Sequence, residues 1–219
     1  DQILFLRNGL ELMEKDVPKM VADFDRAAFR SKLGVGTDDT MLLTVSRLTG
    51  WKRVDRAIDG FAACYKKNSH TKLVIVGDGD SREALEKQAE ALGVKDHVIF
   101  VGAVQHDAVY QYMMASDIFV SLYDLSNVGN PLLEAMTLGK CVVTLDVGDT
   151  KKLISNRKNG ILLTYESLPV LGDILLELIE NSELRDRLSN NARAYALTHF
   201  YSWKDRMDKE YISVSKLIQ

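Results

Sequence analysis

Six short apolar runs, separated by stretches of helical spacing, constrain this chain more than any other feature. The runs are Met41-Leu42-Leu43-Thr44-Val45, Leu73-Val74-Ile75-Val76, Val98-Ile99-Phe100-Val101, Ile118-Phe119-Val120, Cys141-Val142-Val143-Thr144-Leu145 and Gly160-Ile161-Leu162-Leu163. They are continuous rather than alternating, which marks strands buried on both faces. The pattern therefore predicts an α/β fold, a parallel six-stranded Rossmann-like sheet with helices on each side. After the first run, Val54, Ala57, Ile58, Phe61, Ala62 and Tyr65 fall on one face of a helix. Helices are also predicted over 81–92, 106–115 and 131–138, and the chain reads as helical from about residue 167 to its end.

Residues 1–40 precede this alternation. A strand at Ile3-Leu4-Phe5-Leu6, a turn at Asn8-Gly9 and a helix around 23–33 are expected there, forming a lead-in to a domain over 41–219. The 219 residues suffice for one sizeable domain. A net charge of −3 gives no overall drive toward nucleic acid, though a local basic pocket stays open. Cys64 and Cys141, the two cysteines, sit in apolar segments and point to a reducing compartment rather than a disulfide framework. No apolar run approaches the roughly 18–20 residues that span a membrane. The opening Asp1-Gln2-Ile3 is no signal peptide, and the chain is expected to be cut from something longer.

In an open parallel sheet, ligands bind beyond the carboxyl ends of the strands. The first run is followed by Ser46-Arg47-Leu48-Thr49-Gly50-Trp51-Lys52, the second by Gly77-Asp78-Gly79-Asp80, the third by Gly102-Ala103-Val104-Gln105 and the fourth by Ser121 through Asn130. One edge thus collects two cations, several glycines and a polar loop, which suits an anionic ligand. Arg47 can chelate phosphate with two N–H groups and Lys52 supplies a point charge; a surface pair of cations is the plainer alternative. Before the 131–138 helix, Asn130 is expected to cap, Pro131 to take the first helical position and Glu134 to lie in the first turn. Gly129 allows close approach to its backbone. Such a helix start is either an ordinary capped terminus or a phosphate site.

Other motifs fail. Gly77-Asp78-Gly79-Asp80-Ser81-Arg82 keeps only two glycines of a dinucleotide fingerprint, and no acid ends the next strand, which argues against NAD. No GxxxxGK[ST] run is present. Asp78-Gly79-Asp80 could hold a metal but reads better as a turn. His70, His97, His106 and His199 lack ligand spacing, and His106 is expected to begin a helix. The expected metal set is empty.

Together these loops resemble the donor-binding half of retaining glycosyltransferases of the GT-B fold, the large "glycosyl transferases group 1" family. The resemblance rests on Ser46-Arg47-Leu48 with Trp51-Lys52-Arg53-Val54-Asp55, Leu73 through Gly79, Val98 through Gly102, Ala115 through Ser121, Gly129-Asn130-Pro131-Leu132-Leu133-Glu134-Ala135-Met136 with Gly139, and the closing Phe200-Tyr201-Ser202-Trp203. It covers roughly residues 40–215. It implies that Arg47 and Lys52 bind the donor diphosphate and stabilise the leaving nucleotide, without a metal. It also implies that Glu134 accepts from the ribose hydroxyls, that Val104 meets the base, and that Leu132 and Leu133 present backbone N–H groups to phosphate. Gly77, Asp78 and Gly79 join the substrate-binding set, with Gly129 and Asn130.

One departure stands out. The family usually carries a Glu eight positions before Glu134, near the transferred sugar. Here that position is Ser126, followed by Asn127-Val128 in place of Gly-Phe. Asp124, Ser126 or Asn127 could serve the sugar instead. The resemblance also implies a UDP- or GDP-linked sugar as donor, no separate cofactor, and an N-terminal domain, absent from this chain, that binds a glycan or lipid acceptor. Residues 1–12 would be the hinge, and the C-terminal helix would cross back. The parent would be cytoplasmic, with a membrane-peripheral position open. A non-catalytic nucleotide-sugar module, or another GT-B enzyme such as an epimerase, stays open beside this.

Overall fold

The computed structural model describes residues 8–218, with side chains through Lys216. The strand expected at 3–6 lies outside the described residues. All six expected strands form: β1 (Thr40–Val45), β2 (Thr71–Val76), β3 (Val98–Gly102), β4 (Ile118–Ser121), β5 (Cys141–Leu145) and β6 (Ile161–Leu163). They make one sheet in the order β3-β2-β1-β4-β5-β6 with every pairing parallel. This is the Rossmann-like order, and its direction reverses between β1 and β4, where Leu42 faces Ile118 and Leu43 faces Phe119.

All six residues of β1 are buried because helices cover both faces. Leu42 joins one core layer with Phe61 of α3 (Val54–Tyr65) and Leu175 of α7 (Leu171–Glu180). Met41, Leu43 and Val45 join the other, with Met113 of α5 (His106–Ala115), Met136 of α6 (Asn130–Thr137) and Ala192 of α8 (Ser182–His199). The α3 face is the one the spacing predicts: Val54, Ala57, Ile58, Phe61 and Ala62 are all buried, and Tyr65 packs against them. The helix expected over 81–92 is α4 (Arg82–Ala91).

The lead-in differs from expectation. The helix expected around 23–33 is two helices, α1 (Val17–Asp23) and α2 (Arg26–Lys32). The first ends at Phe24, and Asp25 caps the second, its side chain accepting from Ala28 N at 2.9 Å. Leu10, Leu12, Val17 and Val35 lie in the second core layer, so these residues pack into the same body. Asp117, before β4, ties α2 to the sheet. It accepts from Arg26 at 2.5 Å, from Arg30 at 3.2 Å and from Met41 N at 2.8 Å. Gly9 bridges Tyr201, bringing the start of the described chain beside α9 (Trp203–Ile218).

Candidate functional site

The site is assembled on the carboxyl edge of the sheet, around the β1/β4 reversal. The loop after β1 is held by the loop after β2. Ser46 N donates to Val76 O at 3.0 Å, Leu48 N to Asp78 O at 2.9 Å and Ser81 N to Leu48 O at 2.9 Å. This zipping needs glycine. Gly77 has φ +134°, and a Cβ there would lie 1.8 Å from Ser46 O; at Gly79 it would lie 2.5 Å from Leu48 O. The glycines therefore serve the neighbouring loop's backbone, and through it the position of Arg47. Asp78 accepts from Gly79 N at 2.8 Å and from Arg82 at 3.2 Å, as expected of a turn residue.

The cations divide into two groups. Arg53 pairs with Asp55 at 2.8 Å and with Asp124 at 3.3 Å, Arg56 with Asp124 at 2.7 Å, and Arg82 with Asp78 and Glu86. Arg47 and Lys52 have no carboxylate partner among the described residues. Arg47 is exposed. The Lys52 ammonium lies 4.0 Å from the centre of the Trp51 ring and 3.9 Å from that of Tyr123. Burial, and then Arg47, push its pKa below the usual lysine range.

The loop after β4 lies beside these cations, with Asp124 N donating to Trp51 O at 3.0 Å. Burial opposes ionisation of Asp124, but Arg56 and Arg53 outweigh it and hold its carboxyl below the usual range. Asn127, a sugar candidate from sequence, is turned inward instead. Its side chain is buried, accepting from Tyr123 N at 3.0 Å and donating to Leu145 O at 3.0 Å. It staples the loop and has no polar atom directed outward. Ser126 is exposed, its Oγ accepting from Val128 N at 3.2 Å.

The start of α6 also differs. Gly129 occupies the cap position, Asn130 is the first helical residue and Pro131 the second. The N–H groups of Leu132 and Leu133 both turn to Gly129 O, at 3.1 and 3.2 Å, so neither is presented outward as expected. With Pro131 lacking an N–H, Asn130 is left as the open backbone donor of this turn. Leu132 and Leu133 bury their side chains in the second core layer, and Val104 packs half-buried against it.

Glu134 lies beyond the first turn and is buried, at 2% exposure. Its Oε1 accepts from His106 Nε2 at 2.8 Å. Burial raises its pKa and His106 opposes that rise. His106 begins α5, as expected, but its place beside Glu134 was not legible; 28 residues separate the two and no spacing rule joins them. Among the described residues no cluster of three or more His, Cys, Asp or Glu side chains could hold a metal ion, and no helix is long and apolar enough to cross a membrane.

Fold and edge together define an open α/β sheet with an anion-suited switch point. The sequence profile described as "Glycosyl transferases group 1" matches residues 25–195, and the chain belongs to that family. It is 30% identical over 217 residues to an uncharacterized glycosyltransferase of Methanocaldococcus jannaschii, covering 99% of this chain and 54% of that protein. It is 31% identical over 174 residues to the lipopolysaccharide glucosyltransferase WaaG of Escherichia coli, covering 79% of this chain and 46% of that one. The structure is similar to that of Anabaena HepE in complex with UDP and glucose, with TM-score 0.81 and 26% identity, over 95% of this chain and 55% of that chain. The chain spans about half the length of the curated relatives it matches. These likenesses bear out the six-stranded Rossmann-like fold and place it among GT-B glycosyltransferases.

Proposed function

We propose that this chain is the donor-binding half of a retaining glycosyltransferase, which transfers a sugar from a nucleoside diphosphate to an acceptor. The observation that carries this is the pair Arg47 and Lys52. They are two cations at the β1/β4 reversal without a carboxylate among the described residues, while Arg53, Arg56 and Arg82 beside them are all paired. The pair supplies fixed positive charge where the leaving diphosphate develops negative charge, with no need for a divalent ion. Lys52 is held by two rings and so is oriented before the ligand arrives. The Asn130 N–H adds a donor at the helix start. Glu134 takes the ribose, and Val104 with its neighbouring backbone takes the base.

The nucleotide is UDP or GDP; HepE in complex with UDP supports the first. A glycan or lipid acceptor binds through an N-terminal domain outside this chain, so transfer requires the parent. The parent works in the cytoplasm, at the membrane surface for a lipid acceptor; the two buried thiols, Cys64 and Cys141, suit a reducing compartment. Ser126, in place of the usual Glu, favours a second reading in which the chain holds a nucleotide sugar without transferring it. Thermal unfolding of this chain with UDP, GDP and their sugar conjugates tests binding, because a ligand of the native state raises the midpoint by mass action. No rise with any of them refutes both readings. Transfer by the longer parent, or its absence, separates one from the other.

A further inference from the structure

Glu134 is a carboxylate with 3% of its side chain exposed and one hydrogen-bond donor among the described residues, His106 Nε2 at 2.8 Å. A carboxylate offers about four acceptor positions, and the little exposure this side chain keeps leaves its second oxygen within reach of a ligand. Oε1 is committed to the imidazole, and no described side chain or backbone group donates to Oε2. A ribose diol brings hydroxyl donors of the kind this oxygen lacks.

His106 is placed to decide which way that oxygen faces. It is the first residue of α5, at the end of the β3 loop, and half of its side chain is exposed. Its ring has neighbours on two further sides. It meets the Tyr110 ring edge-on, with centroids 5.1 Å apart, and its Nδ1 lies 3.8 Å from Glu11. Glu11 is itself held by Lys15 at 2.9 Å. The imidazole is therefore oriented by its own neighbours and passes that orientation to Glu134.

We propose that His106 is a positioning residue for nucleotide recognition: its Nε2–H anchors one oxygen of Glu134 so that the other is presented to a ribose hydroxyl. This rests on Glu134 being the ribose reader, and the experiment separates the two. Calorimetry gives the affinity of this chain for UDP and for its 2′-deoxy and 3′-deoxy forms, or for the guanosine set if GDP is the tighter ligand. The readout is the ratio of ribose to deoxyribose affinity, which a general loosening of the fold does not move. His106→Phe keeps a ring against Tyr110 but removes the donor, and should lower the ratio roughly ten-fold, the scale of one hydrogen bond to a charged group. His106→Leu serves the same purpose if the phenyl ring lowers the unfolding midpoint. His106→Gln restores a donor and should recover most of the ratio. A ratio lost in Glu134→Gln but kept in His106→Phe and His106→Leu overturns the role of His106 alone. A ratio unchanged in Glu134→Gln, or no binding by the unaltered chain, overturns the ribose assignment and this proposal with it.

Discussion

Replacing Lys52 with Met separates a ligand-binding cation from a structural one. In the free protein the ammonium makes no ion pair among the described residues. It rests on Trp51 and Tyr123 at 4.0 and 3.9 Å, is half-buried and is repelled by Arg47. Two cation–π contacts are worth about 0.5–2 kcal/mol each. Partial desolvation and the like charge of Arg47 oppose them, and the Met side chain keeps contact with both rings. The net change in folding stability should lie within about 1 kcal/mol. Loss of a charged hydrogen bond to a diphosphate should weaken nucleotide binding by about 1.5–3 kcal/mol, ten- to a hundred-fold in Kd. Urea unfolding and calorimetry with the same nucleotide measure both quantities. The free-state pKa of Lys52 is lowered, and an anion would raise it in the complex. Affinity should therefore be full at neutral pH and fall as pH rises through the lowered value, below the ordinary 10.5. A variant destabilised by several kcal/mol with unchanged nucleotide affinity would refute the argument and make Lys52 a structural cation.

Gly77→Ala puts a Cβ 1.8 Å from Ser46 O at φ +134°; it should destabilise the chain by more than about 3 kcal/mol, seen in urea unfolding. Asn127→Ala removes the staple to Tyr123 and Leu145 and should cost about 1–3 kcal/mol of stability while also weakening nucleotide binding. Lys140 donates to Met114 O and Ser116 O at 3.0 and 3.1 Å, and burial, with Arg26 nearby, brings its pKa down to about 8. Between there and the unfolded value of 10.5 the unfolded chain holds more protons, so stability should rise with pH across that window, by up to about 3 kcal/mol. Chemical unfolding at stepped pH should show that rise flattened in Lys140→Met.

The sheet was legible in sequence because strands covered on both faces leave continuous apolar runs, and the α3 stripe was legible because one face of that helix meets the core. The loops that end β1 and β4 were legible as an edge for the same reason: the strand ends place them. What escaped depends on partners distant in the chain. Asn127 reads as a polar loop residue until Leu145 O, 18 positions away, is seen to accept from it. His106 reads as a helix start until Glu134 is beside it. The outward amides expected at Leu132 and Leu133 failed on a one-residue shift, because Gly129 rather than Asn130 caps α6 and its carbonyl takes both. The single helix expected over 23–33 failed because Asp25 caps inside it.

The central claim, a nucleoside diphosphate at the β1/β4 reversal, is tested most directly by diffraction from crystals of this chain grown with UDP or GDP. The diphosphate should lie within hydrogen-bond reach of the Arg47 guanidinium, the Lys52 ammonium and the Asn130 N–H, with a ribose hydroxyl on Glu134. A well-ordered nucleotide bound elsewhere, or one whose phosphates reach neither Arg47 nor Lys52, would contradict it.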